Sequence, residues 1–316
     1  MPRPVKCRKI CHFPNILEFL PADNTEKKTP IVLTVDEYET IRLLDKKGYS
    51  QEQCAASVSY THLDVYKRQI LSPAKKMITD TDSIEPDALP EFIEKTTEIQ
   101  SWLKSKSKEE LKGIWKCNDK IAEQNFNRLG NMNLYQMLSP AVLSYEGIAF
   151  QYMAPSVFED SQFEYVQNHL RIISAFYGVL KPRDGVTPYR LEMQAKVGIG
   201  ETKNLYEYWG DLLYRSVIDN SRVIINLASK EYSKCIEKYL TQRDRYITIT
   251  FCELSGDKLV TKGTYAKMAR GEMVRFMAEN SIENPEDIKK FDRLGYSFRS
   301  DLSSETEYVF ERKIKQ

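Results

Sequence analysis

The sequence is short of histidine, with three in 316 residues, and its six cysteines (Cys7, Cys11, Cys54, Cys117, Cys235, Cys252) are scattered rather than paired. In a chain this long that pattern argues against a disulfide framework and for reduced thiols. No run approaches the ~18 uncharged apolar residues of a spanning helix, which excludes a membrane partner of that kind. The start, Met1-Pro2-Arg3-Pro4-Val5-Lys6, lacks the apolar stretch of a signal peptide. Internal repeats and low-complexity linkers are absent from the body as well. What remains is ordinary globular composition, 41% hydrophobic and 29% charged, and the expected compartment is the cytoplasm.

The formal net charge of +1 conceals an asymmetry. Between Arg171 and Arg275 there are 18 Lys and Arg against 12 Asp and Glu, whereas the rest of the chain from Ile70 holds 17 against 24. The middle segment is a candidate basic face, and a mixed-sign solvated surface is the alternative.

Residues 1–57 read as a basic arm, a strand-like Ile31-Val32-Leu33 and a helix signature. Thr34 and Glu37 form a capping box, and Tyr38, Ile41 and Leu44 follow at helical spacing as far as a stop at Gly48. Ser50 and Gln53 repeat the box before a second helix over 51–56, the opening of a helix-turn-helix. The recognition helix that should follow is missing. This segment resembles a small bacterial family that begins MPRPVKCR, continues through Cys7, Cys11 and His12, and is presumed to bind DNA by a helix-turn-helix. Residues 58–69, VSYTHLDVYKRQ, carry neither caps nor an apolar stripe, and they resemble a translated adaptor sequence found at broken ends of assembled environmental genes. We expect a truncated fragment over 1–57, a non-native junction over 58–69, and a body over 70–316. A zinc site from Cys7, Cys11, His12 and His62 has weak spacing, so neither metal nor cofactor is expected.

The body alternates helix and strand. Pro90 to Leu103 and Leu111 to Phe126 read as two amphipathic helices. Phe163, Val166, Leu170, Ile173 and Phe176 read as a third, ending at Gly178, and about Asn204 to Asp219 as a fourth. Ile70-Leu71 reads as the end of a strand whose beginning was lost, and Val223 to Leu227 as a buried strand. Tyr246 to Phe251 with Lys258 to Val260 reads as a hairpin, Tyr265 to Asn280 as a helix, and Tyr296 to Phe298 and Tyr308 to Phe310 as strands. The fold class is therefore α/β, one mixed body.

Several short motifs in this body are specific. Ser72-Pro73-Ala74-Lys75, Asn118-Asp119-Lys120, Phe176 to Pro182, Pro188 to Met193, Tyr208-Trp209-Gly210-Asp211, Asn226 to Ser229 with Glu231-Tyr232, and Tyr265 to Lys267 with Ala269-Arg270-Gly271 occur in the order found in the YaaA family of bacterial peroxide-stress proteins, which the body resembles over nearly all of 70–316. The resemblance implies a cytoplasmic protein that protects cells from peroxide by keeping intracellular iron low, on a fold peculiar to its family. It also implies binding of duplex and distorted DNA in a basic cleft with a helix-hairpin-helix element.

In such an element a glycine turn exposes backbone N–H groups to phosphates, and nearby cations add charge. Leu170 to Tyr177 would be the helix, Gly178 the turn, and Lys181 and Arg183 the cations. A plain helix stop at Gly178 is the alternative. Lys267 and Arg270 share a helical face, with Arg275 slightly around the cylinder. The candidate DNA contacts are thus Lys75, Lys120, Gly178, Lys181, Arg183, Arg190, Lys267 and Arg270. The rival reading is an enzyme or a small-molecule or nucleotide site at the strand ends, using Ser72, Glu192, Asp211, Asn226 and Ser229. Ser72 with Lys75 has the look of a serine-lysine nucleophile pair but no third partner, so catalytic residues are not assigned.

Overall fold

A computed structural model describes residues 67–80, 84–256 and 258–313 and, of the first segment, Tyr38, residues 41–45 and Gly48. The chain divides into two compact units, Met1–Val65 and Tyr66–Gln316. In the first unit residues 41–45 are helical, and the helix stops as expected: the Gly48 N–H donates to the Leu44 carbonyl at 3.1 Å, with φ at +67°. The remaining expectations for 1–66, from the cysteine and histidine set to the second helix, lie outside the described residues.

The second unit is built on an eight-stranded sheet. Its strands are β1 (Arg68–Leu71), β3 (Leu170–Ser174), β4 (Gly178–Leu180), β6 (Val223–Asn226), β7 (Arg245–Ser255), β8 (Lys258–Val260), β9 (Tyr296–Phe298) and β10 (Glu307–Arg312). The order is β4-β3-β1-β6-β7-β10-β9, with β8 paired to β7. Strands β3, β1, β6, β7 and β10 run parallel, and β4, β8 and β9 join them antiparallel. Short strands β2 (Ser139–Pro140) and β5 (Gly185–Val186) pair apart from this sheet. The helices are α1 (Ile93–Lys104), α2 (Lys108–Trp115), α3 (Asp119–Gly130), α4 (Ala141–Ser144), α5 (Ile148–Met153), α6 (Asp160–His169), α7 (Leu205–Trp209), α8 (Leu212–Val217), α9 (Lys230–Glu237) and α10 (Gly263–Glu279). The mixed α/β class read from the sequence is the observed one.

The third expected helix is corrected. It runs only from Asp160 to His169, and Leu170 turns extended (φ −81°, ψ 137°) to open β3. Leu170 and Ile173 fit a helical stripe, but Leu170, Arg171, Ile172, Ile173 and Ser174 are all buried, as a strand covered on both faces requires. The glycine at 178 therefore closes a β-hairpin and not a helix-hairpin-helix. The Ser174 hydroxyl accepts from the backbone N–H groups of Phe176 (3.2 Å) and Tyr177 (2.9 Å), and Gly178 starts β4 at φ +80°. A Cβ there would lie 2.8 Å from Phe92 and 2.9 Å from Trp209, so the turn is sealed in the core and offers no N–H to a phosphate. The helices expected over 111–126 and 204–219 are each broken in two, at the left-handed Lys116 and at Gly210.

Residues 67–69, read as the end of a junction, enter this body: Arg68 and Gln69 are the first half of β1, paired with β3 on one side and β6 on the other. Both are buried polar residues in a central strand. Arg68 reaches Asp219 (Nε to Oδ2, 3.3 Å) and donates to the Asn168 carbonyl. Burial, with the Arg68 charge adding to it, pulls the guanidinium of Arg171 down to about 9. Gln69 donates to the Tyr165 hydroxyl at 3.0 Å, yet its Oε1 has no hydrogen-bond partner among the described residues. Gln69→Val removes that orphan acceptor and suits a pleated, two-sided strand, while Tyr165 keeps its bond to the Ile282 carbonyl. We expect it to stabilise the protein by about 1 kcal/mol, measured by urea unfolding.

Asp184 supplies a pH test of the same core. Burial pushes its carboxyl up to about 6 from the ordinary 3.8, against the Lys181 N–H that donates to Oδ2 at 2.8 Å. A raised folded value means that the stability from protonated Asp184 is complete below the unfolded value and lost as pH rises through about 6. Asp184→Asn keeps an acceptor for that N–H and does not titrate. The wild type should lose stability relative to this variant between about pH 4 and about pH 6 and stay level above, as read by urea midpoints.

Candidate functional site

Strand order reverses at β1: the chain goes first to β3 on one side and then, through α7 and α8, to β6 on the other. Open parallel sheets bind ligands at the carboxyl ends of the strands beside such a reversal. There, at Leu71-Ser72 and Leu227 to Ser229, lies a cleft of about 390 Å³. Pro73 to Lys76 after β1, residues 146–150 entering α5, residues 189–192, Glu231 and Tyr232 of α9, and Lys267 and Arg270 of α10 complete its lining.

Ser72 ties the two strand ends together. Its Oγ accepts the Ser229 N–H at 2.8 Å and lies 3.1 Å from the Ser229 hydroxyl. Lys75 is turned to Glu192 (2.9 Å), so the serine-lysine pairing does not form. That ion pair is worth about 1 kcal/mol or less, because the lysine side chain is 64% exposed. Arg190 lies 3.8 Å from the same Oε1 of Glu192 and donates to the Trp115 carbonyl at 3.5 Å. Glu231 accepts from the backbone N–H (3.3 Å) and side-chain amide (3.4 Å) of Gln194. Burial raises its carboxyl above the usual range, and the neighbouring charge of Glu192 adds to the rise. The floor is stiff: the buried Tyr189 hydroxyl bonds Tyr145 (2.9 Å) and Ser174 (2.7 Å), and burial pushes Tyr189 up to about 12.

Helix α10 brings the remaining cations. Arg270 is half-buried, its Nε has no hydrogen-bond partner among the described residues, and burial alone lowers its guanidinium. Among the described residues Lys267, which is exposed, also lacks an ion-pair partner. Arg275 is engaged elsewhere, bonding Glu279 at 2.7 Å. The helix is pressed onto α5 at Gly271, where a Cβ would stand 1.8 Å from the Ala149 carbonyl oxygen. A second close approach fixes the opposite wall: a Cβ on Gly147 would meet that of Ala74 at 2.6 Å.

Of the candidate DNA contacts, the structure brings Lys75, Arg190, Lys267 and Arg270 to this cleft, together with Ser72, Glu192 and Ser229 of the rival set. The others lie elsewhere. Lys120 is exposed on α3, Lys181 is exposed beyond β4, and Arg183 pairs with Asp87 at 2.9 Å. Asp211 precedes α8 and pairs with Arg215 at 2.6 Å. Asn226 is buried at the end of β6, where its Oδ1 accepts the Ala228 N–H at 2.9 Å. Sequence reasoning passed over Tyr189, Glu231 and the 146–150 segment as lining. Tyr189 and Glu231 fell within motifs already singled out, the 146–150 segment carried only Gly147 before an apolar run, and their convergence is tertiary.

Comparison with known proteins decides the family. The model described as peroxide stress protein YaaA matches residues 68–302. The chain belongs to the YaaA family of peroxide stress proteins. Its relatives include a UPF0246 protein of Agathobacter rectalis, 82% identical over 245 residues (78% of this chain, 98% of the relative). Another, from Lachnoclostridium phytofermentans, is 55% identical over 243 residues (77% and 95%). A third, from Desulfitobacterium hafniense, is 50% identical over 247 residues (78% and 98%). A second model, a protein of unknown function named DUF134, matches residues 1–83. The YaaA match starts at Arg68, the first residue of β1, so the two matches overlap on the strand that opens the body.

Gly271→Ala should push α10 away from α5, carrying Lys267 and Arg270 with it. The expected cost is about 1 to 3 kcal/mol, seen as a lower unfolding midpoint, whereas Gly113→Ala on α2, where a Cβ meets nothing within 4 Å, should not destabilise.

Proposed function

We propose that this YaaA-family chain acts in the peroxide stress response as a cytoplasmic, sequence-tolerant DNA-binding protein that grips phosphates at the mouth of the cleft, chiefly through Lys267 and Arg270. The observation that carries the reading is Arg270. A half-buried guanidinium with no ion-pair partner among the described residues is costly, and an incoming phosphate would supply the missing charge. Contacts of this kind are to the backbone, so they carry no base information. Limitation of intracellular iron enters the reading as an indirect consequence of DNA binding. Among the described residues no three or more His, Cys, Asp or Glu side chains gather as a metal centre, and no helix is long and apolar enough to cross a membrane.

The test is duplex binding by the full chain across a salt series. Affinity should fall steeply with salt, and changing Lys267 and Arg270 together to Ala should weaken binding and reduce the log-log slope by about two. Binding that is indifferent to salt, or unaltered in the double variant, would sink the proposal.

A further inference from the structure

The lining of the cleft goes beyond what phosphate contacts require. We propose that it holds one nucleoside monophosphate unit, with the phosphate on Arg270 and Lys267 and an amino-bearing base between the aromatic walls, donating to Glu192. The inference rests on the same reading of Lys267 and Arg270 as phosphate ligands and adds what enters behind them.

Three observations favour this occupant. A space of about 390 Å³ lies in the range of small-molecule sites, far below what a duplex would need. Much of its surface is apolar and ring-bearing, from Phe150, Tyr189 and Tyr232 with Leu71 and Leu191, which suits a flat heterocycle better than a bare sugar phosphate. The charges are also divided by origin: the cations that have no ion-pair partner among the described residues come from α10, and the carboxylates Glu146, Glu192 and Glu231 come from other segments, with Glu146 held by Lys76. A phosphate is repelled by the carboxylates and drawn to α10, which leaves the acidic groups to the other end of the ligand. Glu192 is suited to that end. Lys75 and Arg190 both approach its Oε1, and among the described residues no group bonds Oε2, so an acceptor remains for an exocyclic amino group. The same unit arrives either as a free nucleotide or as one residue of a single strand.

Calorimetric titration of the full chain with AMP, GMP, CMP and UMP, and with ribose 5-phosphate and inorganic phosphate for comparison, tests this. An amino-bearing nucleotide should bind saturably, one per chain, about tenfold or more tighter than ribose 5-phosphate. Arg270→Gln should weaken it by about tenfold or more, and Glu192→Gln should narrow the preference for CMP over UMP. Circular dichroism identical to wild type establishes that each variant is folded. Absence of saturable binding by any nucleotide, or nucleotide binding unchanged in both folded variants, overturns the inference. If nucleotides fail while salt-dependent duplex binding persists, the inference alone falls. If nucleotides bind and duplex does not, the DNA reading alone falls. Given binding, displacement of CMP by a single-stranded oligonucleotide supports the strand as source, and no displacement supports the free nucleotide.

Discussion

The second unit depends on the pairing of β1 with two neighbours at once. Gln69 and Ile70 align with Leu170 and Arg171 of β3 and with Ile225 and Asn226 of β6, and these three strands share one direction. That alignment sends the chain out at Ser72 beside the start of α9, where one hydroxyl accepts the Ser229 N–H and locks the strand ends. Without β1 there is no reversal of strand order and no cleft at its end. The strand is also where the sequence is least suited to its place, because Arg68 and Gln69 bring polar groups into a buried sheet position and set Arg68 against Arg171. Backbone pairing on both sides outweighs the side-chain mismatch.

Width is the next constraint, and small residues set it. Gly147 against Ala74 and Gly271 against Ala149 let backbones approach more closely than any side chain would permit. These contacts place α5, the loop after β1 and α10 around one space, and they bring Lys267 and Arg270 within reach of whatever enters it. On the other side the charges balance, three cations (Lys75, Lys76 and Arg190) against three carboxylates (Glu146, Glu192 and Glu231). The electrostatics of the cleft are therefore graded, with net positive charge only along α10.

This grading also separates two kinds of basic residue that look alike in sequence. Arg183 is held by Asp87 and Arg275 by Glu279, so neither has charge to spare, whereas Arg270 has no ion-pair partner among the described residues. The surplus of positive charge between Arg171 and Arg275 is real, but it is dispersed over several faces and only part of it reaches the cleft.

Much of the fold was legible in the sequence. The apolar run at Val223, the alternation at Tyr246 to Phe251 with its partner at Lys258, and the helix of Lys267 and Arg270 are local signals, and each formed the expected element. The segment after His169 misled because Leu170 and Ile173 satisfy a helical period and a buried strand equally. Only neighbours on both sides decide between them, as they do for Arg68 and Gln69, whose side chains give no hint of a central strand. In the cleft, the spacing of Lys267 and Arg270 put both on one helical face, and the motifs at Ser72 and Ser229 marked strand ends. What the tertiary structure alone decided was which charges are already spent. Whether a lysine or arginine has a carboxylate nearby depends on residues far away in the chain, and no periodicity or composition carries that information.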